Sequence, residues 1–479
     1  MATSDKKNSL ACVILAAGQG TRMKSARPKV LLELAGTPMV DHGIDLAVSL
    51  GASRIVVVAG HGIEQVEAHL RSKYAGLSGL AVALQEPQLG TGHAVVCALA
   101  KLRGHRGDVL VLYGDVPLLE RATVRRLLSA RRRRKAALAM LTMQLEDAGA
   151  YGRVVRGRRS VVEAVVEAAD ASDDILAIRE ANAGIYCFDL DFLRKASRRL
   201  GRDNAQGEFY LTDTVALAAR SGSGVVAVPC DADEAHGVND RFDLAEVGRV
   251  LNERTVRRLM AGGVTITHPE SVVVHPDVKV GRDTVIGFGV HLLGRTRIGT
   301  GCRIEVGSVI RDCILDRDVW VKPYSVLTRS RVKKGAQVGP FSHLRPGVEL
   351  GPGAKMGNFV EGKKALLGPG VKANHLSYLG DCEIGEATNV GAGTITCNYD
   401  GTHKHRTVLG ERVFVGSDTQ FVAPVTVGDD VVIGAGTTVM RDVPAQMTVV
   451  NPKDQKTWPT KQRERKANRR ASGKGKAKR

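Results

Sequence analysis

The segment Leu15-Ala16-Ala17-Gly18-Gln19-Gly20-Thr21-Arg22-Met23, closed by Pro28-Lys29, has the residue types of a phosphate site. It follows a β-branched run. Glycines after a strand let backbone N–H groups approach a phosphate without interference from a Cβ. A dinucleotide fingerprint needs a third glycine where Met23 stands, so a plain dinucleotide site is disfavoured. Arg22 and Lys29 bracket the loop and supply charge for a polyphosphate. Gln85, Gly90 and Thr91 lie in QEPQLGTGHA, a stretch suited to reading a base and a sugar. Tyr113, Gly114 and Asp115 end a second strand, where α/β sheets place ligands. Asp115 is a hard oxygen donor suited to Mg2+, which usually keeps waters and phosphate oxygens as its other ligands. A strand-end cap would explain Asp115 alone; beside the phosphate loop the metal reading wins. Gly152 in YGR, Glu167 in VVEAADA, Asn182 in EANAGIY and Asn239 in GVND would complete sugar and metal recognition, Asn239 beside Asp115 at the metal.

A second set of polar residues is packed into a few clusters: LRPG at 344–347, NFVEGKK at 358–364, NHLSYLGD at 374–381 and NVGAGTITCNYDG at 389–401. His375 is the natural general base, because an unperturbed imidazole titrates near neutrality. A lone histidine is often a surface loop residue. Asn374, Ser377, Tyr378 and Glu361 around this one weigh against that. Arg345 and Lys363 are suited to holding a phosphate.

Two kinds of scaffold must position these groups. Across residues 10–239, short β-branched runs (ACVILA, RIVVVAG, DVLVLYGD) alternate with helical stretches (VDHGIDLAVSLG, GHAVVCALAKL). That pattern predicts buried parallel strands in an α/β sheet of βαβ units. Phe242, Leu244, Val247, Leu251 and Leu259 recur at helical spacing and predict a linking helix over 240–262. Over 263–450 an aliphatic residue followed by glycine recurs at multiples of six, at 280, 286 and 298, at 350 and 356, at 384 and 390, and at 409, 415, 427 and 433. Period six is the mark of a hexapeptide parallel β-helix, with the aliphatic residue inside and the glycine turning the corner. Residues Thr394–Val408 break the period and must be a loop ejected from a coil.

The whole chain has 479 residues and a net charge of +19. Twelve Lys/Arg against two Asp/Glu in Lys453–Arg479 put about half of that excess in one tail. This tail, 451–479, and the polar first nine residues read as disordered. The tail is expected to solubilise and to bind polyanions without specificity; no specific nucleic acid is expected. The cluster Arg131–Lys135 reads as a solvated helix end, favoured by the helix dipole. No apolar run approaches the length of a membrane span. Leu10–Ala17 is short for a signal-peptide core and runs directly into the glycine loop. Eight scattered cysteines without a CxxC pair read as reduced thiols in the cytoplasm.

The L-x-x-G-x-G-T-R-M…P-K pattern resembles that of the sugar-phosphate nucleotidyltransferases. The lone histidine on hexapeptide repeats resembles the left-handed β-helix acyltransferases. In this order, with LAAGQGTRM, QLGTGHA, YGDVPL, NAQGEFYLTD, HLRPG, NFVEGKK, HLSYLGD, GAGTITCNYDG and GSDTQFVAPV, residues 10–450 resemble one family. It is that of the bifunctional N-acetylglucosamine-1-phosphate uridylyltransferases and glucosamine-1-phosphate N-acetyltransferases of bacterial cell-envelope synthesis. The resemblance implies a Rossmann-like nucleotidyltransferase domain, then a left-handed β-helix, and a homotrimer with acetyl-transfer sites between the helices. It implies acetyl transfer from acetyl-CoA, then uridylyl transfer from UTP with Mg2+. Arg345, Lys363, Tyr378 and Asn389 would bind glucosamine 1-phosphate, and His375 would deprotonate its amine. Ala392, Asn398, Tyr399, Ser417 and Ala435 would line the coenzyme groove. Lys453 stands nearest the place of the family's basic residue after the last coil. Gly362 replaces a larger apolar residue, which implies local loosening. Two other classes fit parts of the chain: a single-activity nucleotidyltransferase with a structural β-helix, and a non-catalytic sugar-nucleotide-binding regulator.

Overall fold

The computed structural model describes residues 9–222, 224–452 and 454–459. Most of the basic tail, Lys453 and the first eight residues lie outside the described residues. The chain divides into two compact units. The described residues up to 261, with 273–278, form the first, and the other described residues form the second.

The first unit is built on a sheet in the order Val225–Pro229, Leu138–Gln144, Glu180–Asp189, Asp108–Tyr113, Leu10–Ala16, Arg54–Ala59, Leu80–Leu84. Alternate residues of Leu10–Ala16 feed two cores. Cys12 and Ile14 face one, and Ala11 and Val13 face the other. A strand buried on both faces has to read as an unbroken apolar run, as ACVILA does. The three strands expected to be parallel are so, whereas Glu180–Asp189, for which no direction was expected, runs antiparallel to both its neighbours. Leu10–Ala16 pairs with Arg54–Ala59 on one side and Asp108–Tyr113 on the other. The strand order therefore reverses here, and a crevice opens at the carboxyl ends of these strands.

The helix over Arg241–Ala261 packs on this unit. Leu244, Val247, Val250 and Leu251 close a small core with Met23, Leu32 and Leu118. Phe242, expected on that stripe, is 86% exposed. The arginine cluster also needs correcting. Arg131 and Arg132 both bind the carboxylate of Asp108, which is 1% exposed. They neutralise a buried charge at a strand start, and only the rest of the cluster is a solvated helix end.

The second unit is a prism of parallel strands two or three residues long for most of its length. Register runs Val285, Arg303, Trp320, Gln337, Lys355, Lys372, Asn389 from coil to coil. The step from Val285 to Arg303 is three full repeats of six, whereas those from Arg303 to Trp320 and from Trp320 to Gln337 each fall one position short. The short coils explain why the period of six fades between 304 and 349. The later step from Asn389 to Phe414 is longer than any of these, because this coil carries the insertion. Ile395–Cys397 and Thr407–Leu409 are both coil strands, so the ejected loop is only 398–406.

The glycine after each aliphatic residue has a different role from the expected one. Gly385 has no positive φ, but a Cβ there would run into the backbone of Gly410 in the next coil. Glycine is required because coils stack too closely for a side chain. Gly385→Ala is expected to destabilise the second unit by about 1–3 kcal/mol, the usual cost of overpacking. A denaturant titration of that unit's unfolding would check it, and an unchanged midpoint would count against the packing account.

Candidate functional site

The crevice holds a cavity of about 1100 Å3, lined among others by Leu15, Ala17, Gly18, Gln85, Gly90, Thr91, Tyr113 and Asp115. Ala16 is buried in the strand behind it. Gly20 has φ +63, and a Cβ there would stand 2.6 Å from Lys29 Cβ. Glycine thus permits both the left-handed turn and the approach of the lysine stem. Lys29 Nζ lies 2.6 Å from Asp115 Oδ2. The Val238 N–H donates to the Asp115 carbonyl at 2.9 Å, which brings Asn239 alongside, and Arg22 Nη2 donates to Asn239 Oδ1 at 3.1 Å. The Gly114 N–H donates to the Leu15 carbonyl at 2.8 Å. Arg22, Lys29, Gly114, Asp115 and Asn239 are therefore one group, off the cavity except for Asp115.

Gly152, Glu167 and Asn182 make a second group. The Asn182 N–H donates to the Gly152 carbonyl at 2.8 Å, and a Cβ on Gly152 would stand 3.2 Å from Glu167 Oε2. Burial pushes the Glu167 carboxyl above the usual carboxylate range, against a 2.9 Å hydrogen bond from Thr212 Oγ1. Tyr113 joins the groups. Burial raises its phenol first, and the charges of Glu167 and Asp115 raise it further. Gln88 and Glu208 escaped the sequence reading. Gln88 Nε2 donates to the Ala17 carbonyl at 2.5 Å across the cavity mouth, and a Cβ on Gly90 would meet Glu208. The glycines of Gly60-His61-Gly62, after the strand Arg54–Ala59, were the readable signal for that wall.

Asp115 and Asn239 offer a carboxylate and an amide oxygen, the hard donors Mg2+ takes. The bond from Lys29 uses Oδ2 and leaves Oδ1 for another ligand. The donor set fits a magnesium ion that completes its shell with phosphate and water. No group of three or more His, Cys, Asp or Glu side chains among the described residues is arranged to hold a metal ion.

In the second unit, Arg345 Nη1 lies 2.8 Å from Glu361 Oε1. Glu361 is in register with Tyr378, and Lys363 with Gly380. Gly380 leaves room for the Tyr378 ring, whose hydroxyl would be 2.5 Å from a Cβ there. The Lys363 ammonium is lowered below its ordinary pKa, first by Lys404 beside it and then by Arg345. Lys404 was not found from the sequence; it arrives on the ejected loop. Asp400 organises that loop. Its carboxylate accepts from the Thr402 and His403 N–H groups and from His405 Nε2 at 2.6 Å, and it is held down at about 2. Asn398 Nδ2 donates to Asp381 Oδ2 at 2.5 Å, and the Tyr399 hydroxyl to the Gly401 carbonyl at 2.5 Å.

The remaining expected residues lie on other strands and turns of the second unit. His375 ends the strand Lys372–His375 in register with Asn358, and Asn389 is in register with Lys372. Both belong to the eleven-stranded face, whereas Arg345, Glu361, Lys363 and Tyr378 are on or beside strands of the other sheet. Ala392, Ser417 and Ala435 stack at one corner. The Asp418 N–H donates to the Ala392 carbonyl at 2.7 Å, and the Gly436 N–H to the Ser417 carbonyl at 2.8 Å. Asn398 and Tyr399 come one strand later, on the loop, and are not part of that column. Lys453 lies outside the described residues.

Comparison with known proteins gives the same two halves. Residues 12–185 match the model of the MobA-like NTP transferase domain, and residues 406–441 that of the bacterial transferase hexapeptide repeats. A bifunctional protein GlmU of Trichlorobacter lovleyi is 50% identical over 95% of this chain and 99% of its own length. The GlmU of Anaeromyxobacter dehalogenans is 51% identical over 87% of this chain and 85% of its own, and that of Geobacter sulfurreducens 46% over 92% and 96%. With a nucleotidyltransferase-type unit followed by hexapeptide coils, and relatives of this identity along nearly its whole length, the chain belongs to the family of bifunctional GlmU proteins.

Proposed function

We propose that this chain makes UDP-N-acetylglucosamine in two steps, first acetylating glucosamine 1-phosphate with acetyl-CoA and then transferring uridylyl from UTP, with release of pyrophosphate. The observation that carries this reading is the presence, in one family member, of two phosphate-suited sites on separate units. One is the cavity beside Asp115, and the other the cations Arg345, Lys363 and Lys404.

In the acetyl step the amine must be neutral to attack the thioester, His375 takes its proton, and the C–S bond breaks to release the coenzyme as its thiol. Arg345, Lys363 and Lys404 hold the sugar phosphate, with Tyr378 and Asn389 on the sugar. Ala392, Ser417 and Ala435 form the wall of the coenzyme groove, and Asn398, Tyr399 and Lys453 are the further coenzyme contacts. The hexapeptide β-helix supports oligomerisation, here as a homotrimer in which neighbouring chains complete each site. In the uridylyl step the sugar phosphate attacks the α-phosphorus of UTP. Leu15–Gly18, Arg22 and Lys29 orient the polyphosphate, while Gln85, Gly90 and Thr91 hold the base. Gly152, Glu167 and Asn182 hold the sugar. Magnesium on Asp115 and Asn239 neutralises developing charge when bound. Positioning supplies the rest, and no covalent enzyme intermediate is needed.

All eight cysteines are unpaired thiols, which favours a reducing compartment such as the cytoplasm. No helix among the described residues is long and apolar enough to cross a membrane. Assaying the purified protein for each half-reaction tests the reading, and the absence of either activity would overturn that half.

Lys404→Ala is expected to raise KM for glucosamine 1-phosphate about 10- to 100-fold, since a lost charge-assisted contact costs roughly 1.5–3 kcal/mol. Arg345→Ala should behave alike, with kcat changing less than KM because a phosphate contact serves ground and transition states equally. Steady-state kinetics of acetyl transfer would check both. A fall in kcat alone would remove Lys404 from the substrate site.

A further inference from the structure

We infer that Lys29 and Arg22 are place-holders on the two metal-donor side chains of the first unit, so that a divalent metal enters only together with a polyphosphate that takes over both cations. The inference rests on the assignment of Asp115 and Asn239 as metal donors. Lys29 Nζ is 2.6 Å from Asp115 Oδ2, and the two side chains are only 12% and 24% exposed. The lysine is seated by packing as well as charge, because Gly20 lies against its stem. Arg22 Nη2 donates to Asn239 Oδ1 at 3.1 Å. Each candidate donor therefore already carries a protein cation.

A metal ion bound at about 2 Å from these oxygens would stand beside an ammonium and a guanidinium. Asp115 Oδ1 stays open to it, but repulsion from both cations weakens its binding until they swing away, and Lys29 leaves a partly buried partner only for a new anion. A polyphosphate on the loop between Gly18 and Lys29 supplies that anion, and its oxygens also complete the metal's shell. Each ligand then removes part of the other's cost. Linkage makes the effect reciprocal, so the polyphosphate raises metal affinity by the same factor as the metal raises polyphosphate affinity. A carboxylate without a lysine on it would bind the metal with less regard to phosphate.

The test is a titration of the full-length protein with Mn2+, followed by electron paramagnetic resonance, with and without pyrophosphate and corrected for the Mn2+–pyrophosphate complex in solution. Pyrophosphate is expected to raise Mn2+ affinity by a factor within the usual coupling range of about 5- to 150-fold. Lys29→Met should bind Mn2+ alone about tenfold more tightly, and the enhancement by pyrophosphate should shrink by a similar factor. Lys29→Gln should do the same, which guards against a folding defect in one variant. Arg27, which pairs with Glu33 at 3.7 Å in the same loop, is the control for diffuse charge. Arg27→Met should move neither value more than about twofold, as for a screened surface charge.

Wild-type protein that binds Mn2+ equally well with and without pyrophosphate would overturn the inference. So would Lys29 variants whose affinity for Mn2+ alone is unchanged. If instead no Mn2+ binds even with pyrophosphate, or Asp115→Ala titrates like the wild type, the donor assignment itself fails, and the inference with it.

Discussion

Asp115→Ala is expected to lower uridylyl transfer at least about 1000-fold, because a bound metal supplies several kcal/mol of charge stabilisation that its carboxylate ligand secures, while acetyl transfer stays near normal. The carboxylate sits at a strand end on the wall of the nucleotide-sized cavity, bound to Lys29 at 2.6 Å. Its removal takes away one metal donor and also unpairs a lysine whose side chain is 12% exposed. The groups assigned to acetyl transfer belong to the other compact unit, whose coils are closed by their own backbone ladder. Both half-reactions would be measured on the same purified variant, with N-acetylglucosamine 1-phosphate supplied to the second. Uridylyl activity above about a tenth of wild type would remove Asp115 from the metal site. Equal loss of both activities would point to misfolding, which Asp115→Asn, closer in shape, would separate.

The two scaffolds were legible because each has its own period. A strand with both faces buried can only be apolar throughout, and a coil made of three equal repeats brings its aliphatic residue back at every sixth position. The signal failed where the physics differed. The shortened coils between Arg303 and Gln337 shift the count, and side chains such as Glu305 and Lys322 stand where other coils have glycine. The glycines themselves were readable, but their cause was not, since the closeness of Gly385 to Gly410 belongs to the stack and not to the local chain. Residues drawn from one motif, such as Leu15, Gly18, Gln85 and Gly90, could be named without the fold. Those that matter through a distant partner could not. Arg131 and Arg132 looked like a solvated helix end because Asp108, their partner, belongs to an earlier strand of the sheet. Lys404 looked like one more loop lysine, and only the return of the loop places it beside Lys363. The antiparallel strand Glu180–Asp189 has the same composition it would have if parallel, so its direction was invisible.

His375→Ala should cut kcat for acetyl transfer about 10²–10⁴-fold, the usual contribution of a general base, and leave uridylyl transfer untouched. Its ring has no hydrogen-bond partner among the described residues of its own chain, and its strand ends at an exposed corner. Its backbone carbonyl accepts from Ser377 Oγ at 2.8 Å. A histidine kept for packing would be buried or bonded, whereas one that meets a substrate amine needs its nitrogens unclaimed. The kinetic signature is the opposite of that for Arg345 and Lys404. The imidazole handles a proton and not the phosphate, so KM for glucosamine 1-phosphate should change little while kcat falls. A His375→Ala protein that keeps more than about a tenth of wild-type kcat would make this histidine a surface residue. The proton would then leave by another route, and Tyr378, in register with Glu361 beside the cation group, would be the next residue to replace.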